Sequence, residues 1–159
     1  MQEQIEQENF IISQALSILS KRVSKEKHLL SSPTMVKNYL TLKLGQLEHE
    51  VFGIMWLDSK NKLIKFQEMF RGTLNSCSVY PREVIKEGLK INACSAILYH
   101  NHPSGDTIPS KCDILLTSTL YKSLQLVGIN ILDHLIVAGD KMVAFSEKTY
   151  MTDITEGRL

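Results

Sequence analysis

The sequence predicts one α/β domain, a mixed β-sheet flanked by helices, and three observations carry that prediction. Two apolar runs, 51–57 and 63–70, lie either side of a polar turn and read as a strand pair. Further apolar runs at 96–99, 129–138 and 142–145 alternate with segments whose apolar residues recur at helical spacing. The length, 159 residues, suits a single sizeable core.

Taken in order, the chain starts polar. Ile11, Ile12, Ala15, Leu16, Ile18, Leu19 and Val23 then fall at helical spacing. Lys21, Arg22, Lys25, Lys27 and His28 close that helix, since cations favour the negative end of its dipole; contact with a phosphate backbone is the alternative. Ser32-Pro33 opens a second helix with Val36, Tyr39, Leu40, Leu44 and Leu47 facing inward. From Val51 to Leu57 the sequence is nearly all apolar, as in a strand covered on both faces. Asp58 to Asn61 is a turn, and the chain returns as Leu63 to Phe70. On that return Ile64, Phe66, Glu68 and Phe70 share one face by the two-residue period. A carboxylate among three large apolar side chains needs a partner such as a metal charge or metal-bound water. Otherwise the strand bulges or frays before Arg71-Gly72 and Glu68 points into solvent.

Residues 73–80 read as a loop. Pro81 opens a helix reaching Asn92, with Glu83 in its first turn where the dipole favours an acid. A strand over 95–102 carries His100 and His102, two apart and therefore on one face. Ser110 is a good N-cap for a helix running to about Val127, with Leu116, Leu120, Leu124 and Val127 inward and Gly128 as its stop. Ile129 to Ala138 and Met142 to Phe145 form a hairpin across Gly139-Asp140. A mobile tail follows Ser146. The domain division is therefore 1–32, a helical extension; 33–147, the α/β domain; and 148–159, a tail.

Composition narrows the function. The formal net charge is +1, so the basic footprint usual in nucleic-acid binding is missing, although a local patch remains open. No apolar run is long enough to span a bilayer, and MQEQIEQENF lacks the plan of a signal peptide, which makes the cytoplasm the default. Cys77, Cys94 and Cys112 form no CxxC pair and read as reduced core thiols. The N-terminal helix could pair with a copy of itself.

Chemistry concentrates in HNHPSGDTIPSKCD, residues 100–113. His100, His102 and a returning Asp113 are a plausible ligand set for a catalytic zinc ion, with the fourth tetrahedral position left for water. The plainer alternative is a capping box in Ser110-x-x-Asp113 with two surface histidines at a strand end. The letters His-Asn-His match HNH nucleases only by accident, and the Pro-Cys-x-x-Cys of zinc deaminases is absent.

The pattern His100-x-His102-Pro103 followed by Ser110-x-x-Asp113 resembles the JAMM metalloprotease motif of the MPN domain superfamily. HNHPSGD with PSKCD, FRGTLN, YPREVIKEGL and LVGINILDHLIVAG resemble its RadC-like branch, over about 33–147. The resemblance implies an MPN fold and zinc-dependent hydrolysis of a peptide or isopeptide bond in a peptide or protein substrate. It implies His100, His102 and Asp113 as zinc ligands, Glu68 as the acid that takes the proton from water, and Ser110 as a donor to the oxyanion. Asp133 and His134 match a Leu-Asp-His element and read as a hydrogen-bonded structural pair. Tyr80 stands where many relatives have histidine. Full-length RadC proteins usually carry a helix-hairpin-helix module, of which no pattern is seen here, and the length resembles short RadC-like proteins of mobile elements. The alternatives are a non-catalytic MPN-type scaffold and, from the family's DNA-repair label, a protein acting on or near DNA.

Overall fold

The computed structural model describes residues 1–25, 32–72 and 79–159. Lys27, His28 and Cys77, and the expected loop over 73–78, lie outside the described residues. The elements run α1 (Gln2–Lys25), α2 (Pro33–Leu44), β1 (Glu50–Leu57), β2 (Leu63–Gly72), α3 (Pro81–Lys90), β3 (Ser95–Asn101), α4 (Lys111–Gln125), β4 (Asn130–Ala138) and β5 (Lys141–Ala144). A 3-10 turn (Phe145–Lys148) and α5 (Tyr150–Thr155) follow. The five strands form one mixed sheet in the order β2-β1-β3-β4-β5. Among the described residues only β3 and β4 pair in parallel, and α4 is the crossover that parallel neighbours require.

Helices cover both faces of this sheet. Phe52, Ile54, Trp56, Leu98 and Ile136 pack with side chains of α3, α4 and α5 on one face. Val51, Met55, Leu57, Tyr99 and Val137 pack with α1 and α2 on the other. Every residue from Val51 to Leu57 is buried, the expected result for a strand enclosed on two sides. The turns follow their residues: Asp58 Oδ1 accepts from the Lys60 and Lys62 amides, and Gly128 and Gly139 take the positive φ that ends α4 and turns the last hairpin.

Within the layers, α1 buries Val23 completely and leaves Ile5, Phe10, Ile11 and Ile18 exposed. No helix among the described residues is long and apolar enough to cross a membrane. Cys112 is exposed at the start of α4 rather than in the core, while Cys94 is partly buried.

Two expectations need correction. The segment after Ser146 is not a loose tail: Met151 and Ile154, three apart on α5, are buried in the core with α4. A six-residue helix gives too few turns for apolar periodicity to register in sequence. The strand over 63–70 also fails to keep one face. Phe52 pairs with Phe70 but the next residue, Gly53, pairs with Glu68, so Met69 is the extra residue of a β-bulge. Beyond it Phe70 turns to the α3/α4 face, while Phe66 and Glu68 stay on the α1/α2 face.

Gly53 itself is required where it stands. A Cβ there would lie 2.2 Å from the Tyr99 ring, which is fully buried beneath it. Gly53→Ala is therefore expected to lose about 1–3 kcal/mol through overpacking, read as a lower denaturant midpoint with an unchanged slope.

Candidate metal centre

The centre forms where β3 ends and α4 begins. His100 and His102 leave one face of the chain end, and the His102 amide donates to the Val137 carbonyl at 2.8 Å, carrying the β3–β4 pairing one residue further. The 103–109 loop then returns the chain to Ser110, the N-cap of α4. Ser110 Oγ accepts from the Asp113 amide at 3.1 Å, and Asp113 Oδ2 accepts from the Ser110 amide and hydroxyl, both at 2.7 Å. The capping box of the plainer reading is real, and it holds Asp113 over the histidines rather than excluding it from them.

Three donor atoms converge. His100 Nε2 lies 2.8 Å from His102 Nε2 and 3.3 Å from Asp113 Oδ1; Asp113 Oδ2 lies 3.3 Å from His102 Nε2. Tetrahedral bonds of about 2.0–2.1 Å place ligand atoms roughly 3.3–3.4 Å apart, so the two histidine–aspartate edges match a zinc-sized ion, and the shorter histidine–histidine edge would open by about half an ångström to hold one. Proton accounting points the same way. His102 Nδ1 faces the Asp106 carbonyl at 2.7 Å and must donate to it, which leaves a lone pair on Nε2 of the neutral ring. That lone pair and a carboxylate meet in a site where His100 and Asp113 are 0% and 4% exposed. A cation satisfies such acceptors. Zinc therefore fits the residues present.

Electrostatics agree with tight coupling. Burial alone raises the Asp113 carboxyl, and the bonds from His100, His102 and Ser110 outweigh it and hold the group below the usual carboxylate range. His102 is raised, first by its bond to Asp113 and less by the Asp106 carbonyl and the charge of Glu50.

Glu50 is an acid at this cleft that the sequence reading did not single out. Phe52 stands opposite His100 across the β1–β3 pair; the same antiparallel register, continued two residues, sets Glu50 across from His102 on the same face. The buried Asn101 side chain fixes this segment. It accepts from the Val51 amide at 2.7 Å and donates to the His49 carbonyl at 2.9 Å. Glu50, Gly72, His102, Pro103, Asp106 and Ser110 line one cleft of about 540 Å³. The signal was an acid heading an apolar strand with the parity of Phe52, Ile54 and Trp56.

Glu68 is not part of this centre. Its backbone pairs with Gly53, which stands beside Tyr99, so its side chain leaves the sheet on the face away from His100. Arg71 Nε donates to Glu68 Oε1 at 2.8 Å, and that bond lowers the carboxyl rather than raising it as expected of a base. The bulge at Met69 is the cause. Ser110, the expected oxyanion donor, gives its hydroxyl hydrogen to Asp113 Oδ2 at 2.7 Å in this structure.

The expected Asp133–His134 pair is hydrogen-bonded through the backbone, the His134 amide donating to Asp133 Oδ1 at 2.8 Å, while the two side chains leave β4 in opposite directions. Asp133 accepts from the Ser146 amide and hydroxyl on one face of β4. Fully buried His134 lies on the other face, with Nε2 2.8 Å from His100 Nδ1 and Nδ1 2.6 Å from Thr117 Oγ1. Alternate direction along the strand, together with the two different partners, explains the split.

A two-face α/β sheet delivering two histidines and a helix-capping aspartate, a group that could hold a metal ion, to one cleft matches a domain of the JAB/MPN class. A family model described as RadC-like JAB domain matches residues 30–150. The chain belongs to the RadC-like JAB domain family, as its motifs and mixed sheet implied. A UPF0758 protein of Pseudoalteromonas translucida is 48% identical over 143 residues, covering 87% of this chain and 64% of that protein. One from Vibrio cholerae is 45% identical over 145 residues, 91% of each. One from Methylibium petroleiphilum is 50% identical over 120 residues, and the match takes in 54% of its length. The chain thus spans less than two thirds of the first and third of these relatives.

Proposed function

We propose that the chain is a zinc-dependent hydrolase of peptide or isopeptide bonds, with a peptide or protein as substrate. The observation carrying this reading is the convergence of His100 Nε2, His102 Nε2 and the Asp113 carboxylate beside a cleft that Glu50, at the head of β1, also lines. Zinc held by these atoms supplies Lewis-acid chemistry, lowering the pKa of water from 15.7 towards about 7.

The remaining steps belong to the chain. Glu50, at the head of β1 and facing the His102 side of the sheet, takes the proton of the attacking water and passes it to the leaving amine. Asn101 holds the backbone on both sides of Glu50, so the acid is positioned from a rigid strand rather than a loop. Ser110 keeps the Asp113 carboxylate turned to the histidines. The substrate chain lies in the cleft between Gly72 and the 103–110 segment.

His102→Ala tests the reading at its root. Elemental analysis of the purified wild-type chain should give one zinc per molecule and the variant none; an unchanged metal content would overturn the ligand assignment. The non-catalytic scaffold is separated by the same preparation. A zinc-loaded wild type that cleaves no member of a mixed peptide and isopeptide library would leave the scaffold reading standing in place of the hydrolase.

A further inference from the structure

Behind the metal centre, His100 begins a buried chain of three side chains, and the proposed reaction uses neither of the other two. His100 Nδ1 faces His134 Nε2 at 2.8 Å, His134 Nδ1 faces Thr117 Oγ1 at 2.6 Å, and Thr117 Oγ1 donates to the Asp113 carbonyl at 2.6 Å. His100, His134 and Thr117 are each 0% exposed. Water cannot adjust these contacts, so every proton along them is assigned by the protein groups alone.

The assignment runs from the helix outwards. A hydroxyl has one proton, and Thr117 gives its own to the Asp113 carbonyl, which has none to offer. Thr117 Oγ1 is therefore an acceptor toward His134, and His134 Nδ1 carries the hydrogen. The neutral His134 ring then has a lone pair on Nε2. His100 must donate to it from Nδ1, which leaves His100 Nε2 bare on the side of His102 and Asp113. A second proton on His134 would bury a cation between the Phe52 and Phe145 rings, where its ring nitrogens meet His100 and Thr117 and, among the described residues, no carboxylate is hydrogen-bonded to them.

We infer that His134 and Thr117 are positioning residues that set the tautomer of His100, so that a lone pair rather than an N–H faces the metal position. A ligating histidine ordinarily donates its other ring nitrogen to a carboxylate, carbonyl or water. Here a second histidine takes that place, and its own tautomer is fixed by one threonine on α4. The same threonine caps back to the carbonyl of Asp113, so one hydroxyl ties the alignment of two ligands to the first turns of one helix. The consequence for metal binding rests on the zinc reading; the tautomer is a property of the metal-free chain.

The test uses both readouts. Nitrogen-15 NMR of the metal-free protein, labelled in histidine and held above neutral pH, should show His100 with its hydrogen on Nδ1; a hydrogen on Nε2 would overturn the inference without any variant. In Thr117→Val, His134 loses its acceptor, and the His100 resonances should change tautomer. Zinc affinity, measured by competition with a chromophoric chelator, should fall on the order of 10- to 100-fold. Thr117→Ser, which restores the hydroxyl, should recover both. A Thr117→Val chain with wild-type tautomer and wild-type zinc affinity would sink the relay. Should the wild type bind no zinc, the zinc reading fails, and the NMR of the wild-type chain still decides the tautomer.

Discussion

Glu50→Gln is expected to bind zinc as the wild type does and to lose hydrolysis by about 10²–10⁴-fold, the usual contribution of a positioned acid–base group. Glu68→Gln is expected to leave the rate where it was. The paired result is demanding because the sequence reading points to Glu68 and the function proposed from the structure takes Glu50. Glu68 leaves the sheet on the α1/α2 face and is bonded to Arg71. Glu50 shares the face of Phe52 and His100 and lines the cleft with His102. Gln keeps size and hydrogen-bonding reach while removing the basic oxygen, so zinc content, read by elemental analysis, controls for damage to the centre. A single-turnover assay on a cleaved library peptide then isolates the chemical step. Equal rates for Glu50→Gln and wild type would remove Glu50 from the mechanism, and a dead Glu68→Gln would restore the acid that the sequence suggested.

What was legible in sequence follows from how local each signal is. His100, His102, Ser110 and Asp113 fall within one strand–loop–helix window, where two-residue alternation and N-cap chemistry fix direction without knowledge of any other strand. The strand and helix order was readable for the same reason. Which acid joins the centre was not, because it depends on the register between strands distant in sequence. A single bulged residue, Met69, moved Phe70 to one face and left Glu68 on the other. The strand-period argument for Glu68 assumed an unbroken strand, and its stated alternative, a bulge before Arg71, is the one the chain adopts. His134 was visible as a histidine in an apolar strand, yet its partner could be named only once β4 was laid beside β3. Parity alone would have set its side chain on the face opposite that of Asp133. The burial of α5 depends on contacts with α4 made by two side chains, Met151 and Ile154, too few to leave a pattern.

Asp113→Asn is expected to abolish the thermal shift that zinc confers while leaving a folded chain. At free zinc one hundred times Kd, binding to the native state alone adds about 2.7 kcal/mol to the wild type, and the variant should show none of it. Asparagine keeps one side-chain oxygen, which can still accept from the Ser110 amide and hydroxyl, so the start of α4 survives. Its amide nitrogen then faces the imidazole nitrogens and offers hydrogens where a cation needs lone pairs. Acid supplies a second check with a definite sign. The Asp113 carboxyl is held below its ordinary value, so its interactions with the histidines stabilise the metal-free fold above the unfolded-state pKa, about 4, and are lost as pH falls through the folded value. His102 is raised by the same contact, so its share is fully present below about pH 6.5 and fades as the ring loses its proton. The stability gap between metal-free wild type and Asp113→Asn should accordingly be widest between about pH 4 and about pH 6.5 and narrow on further acidification. The two readings of this residue, helix cap and metal ligand, separate here. A cap alone predicts equal zinc-induced shifts in both proteins, and that outcome would leave the histidines without their acid.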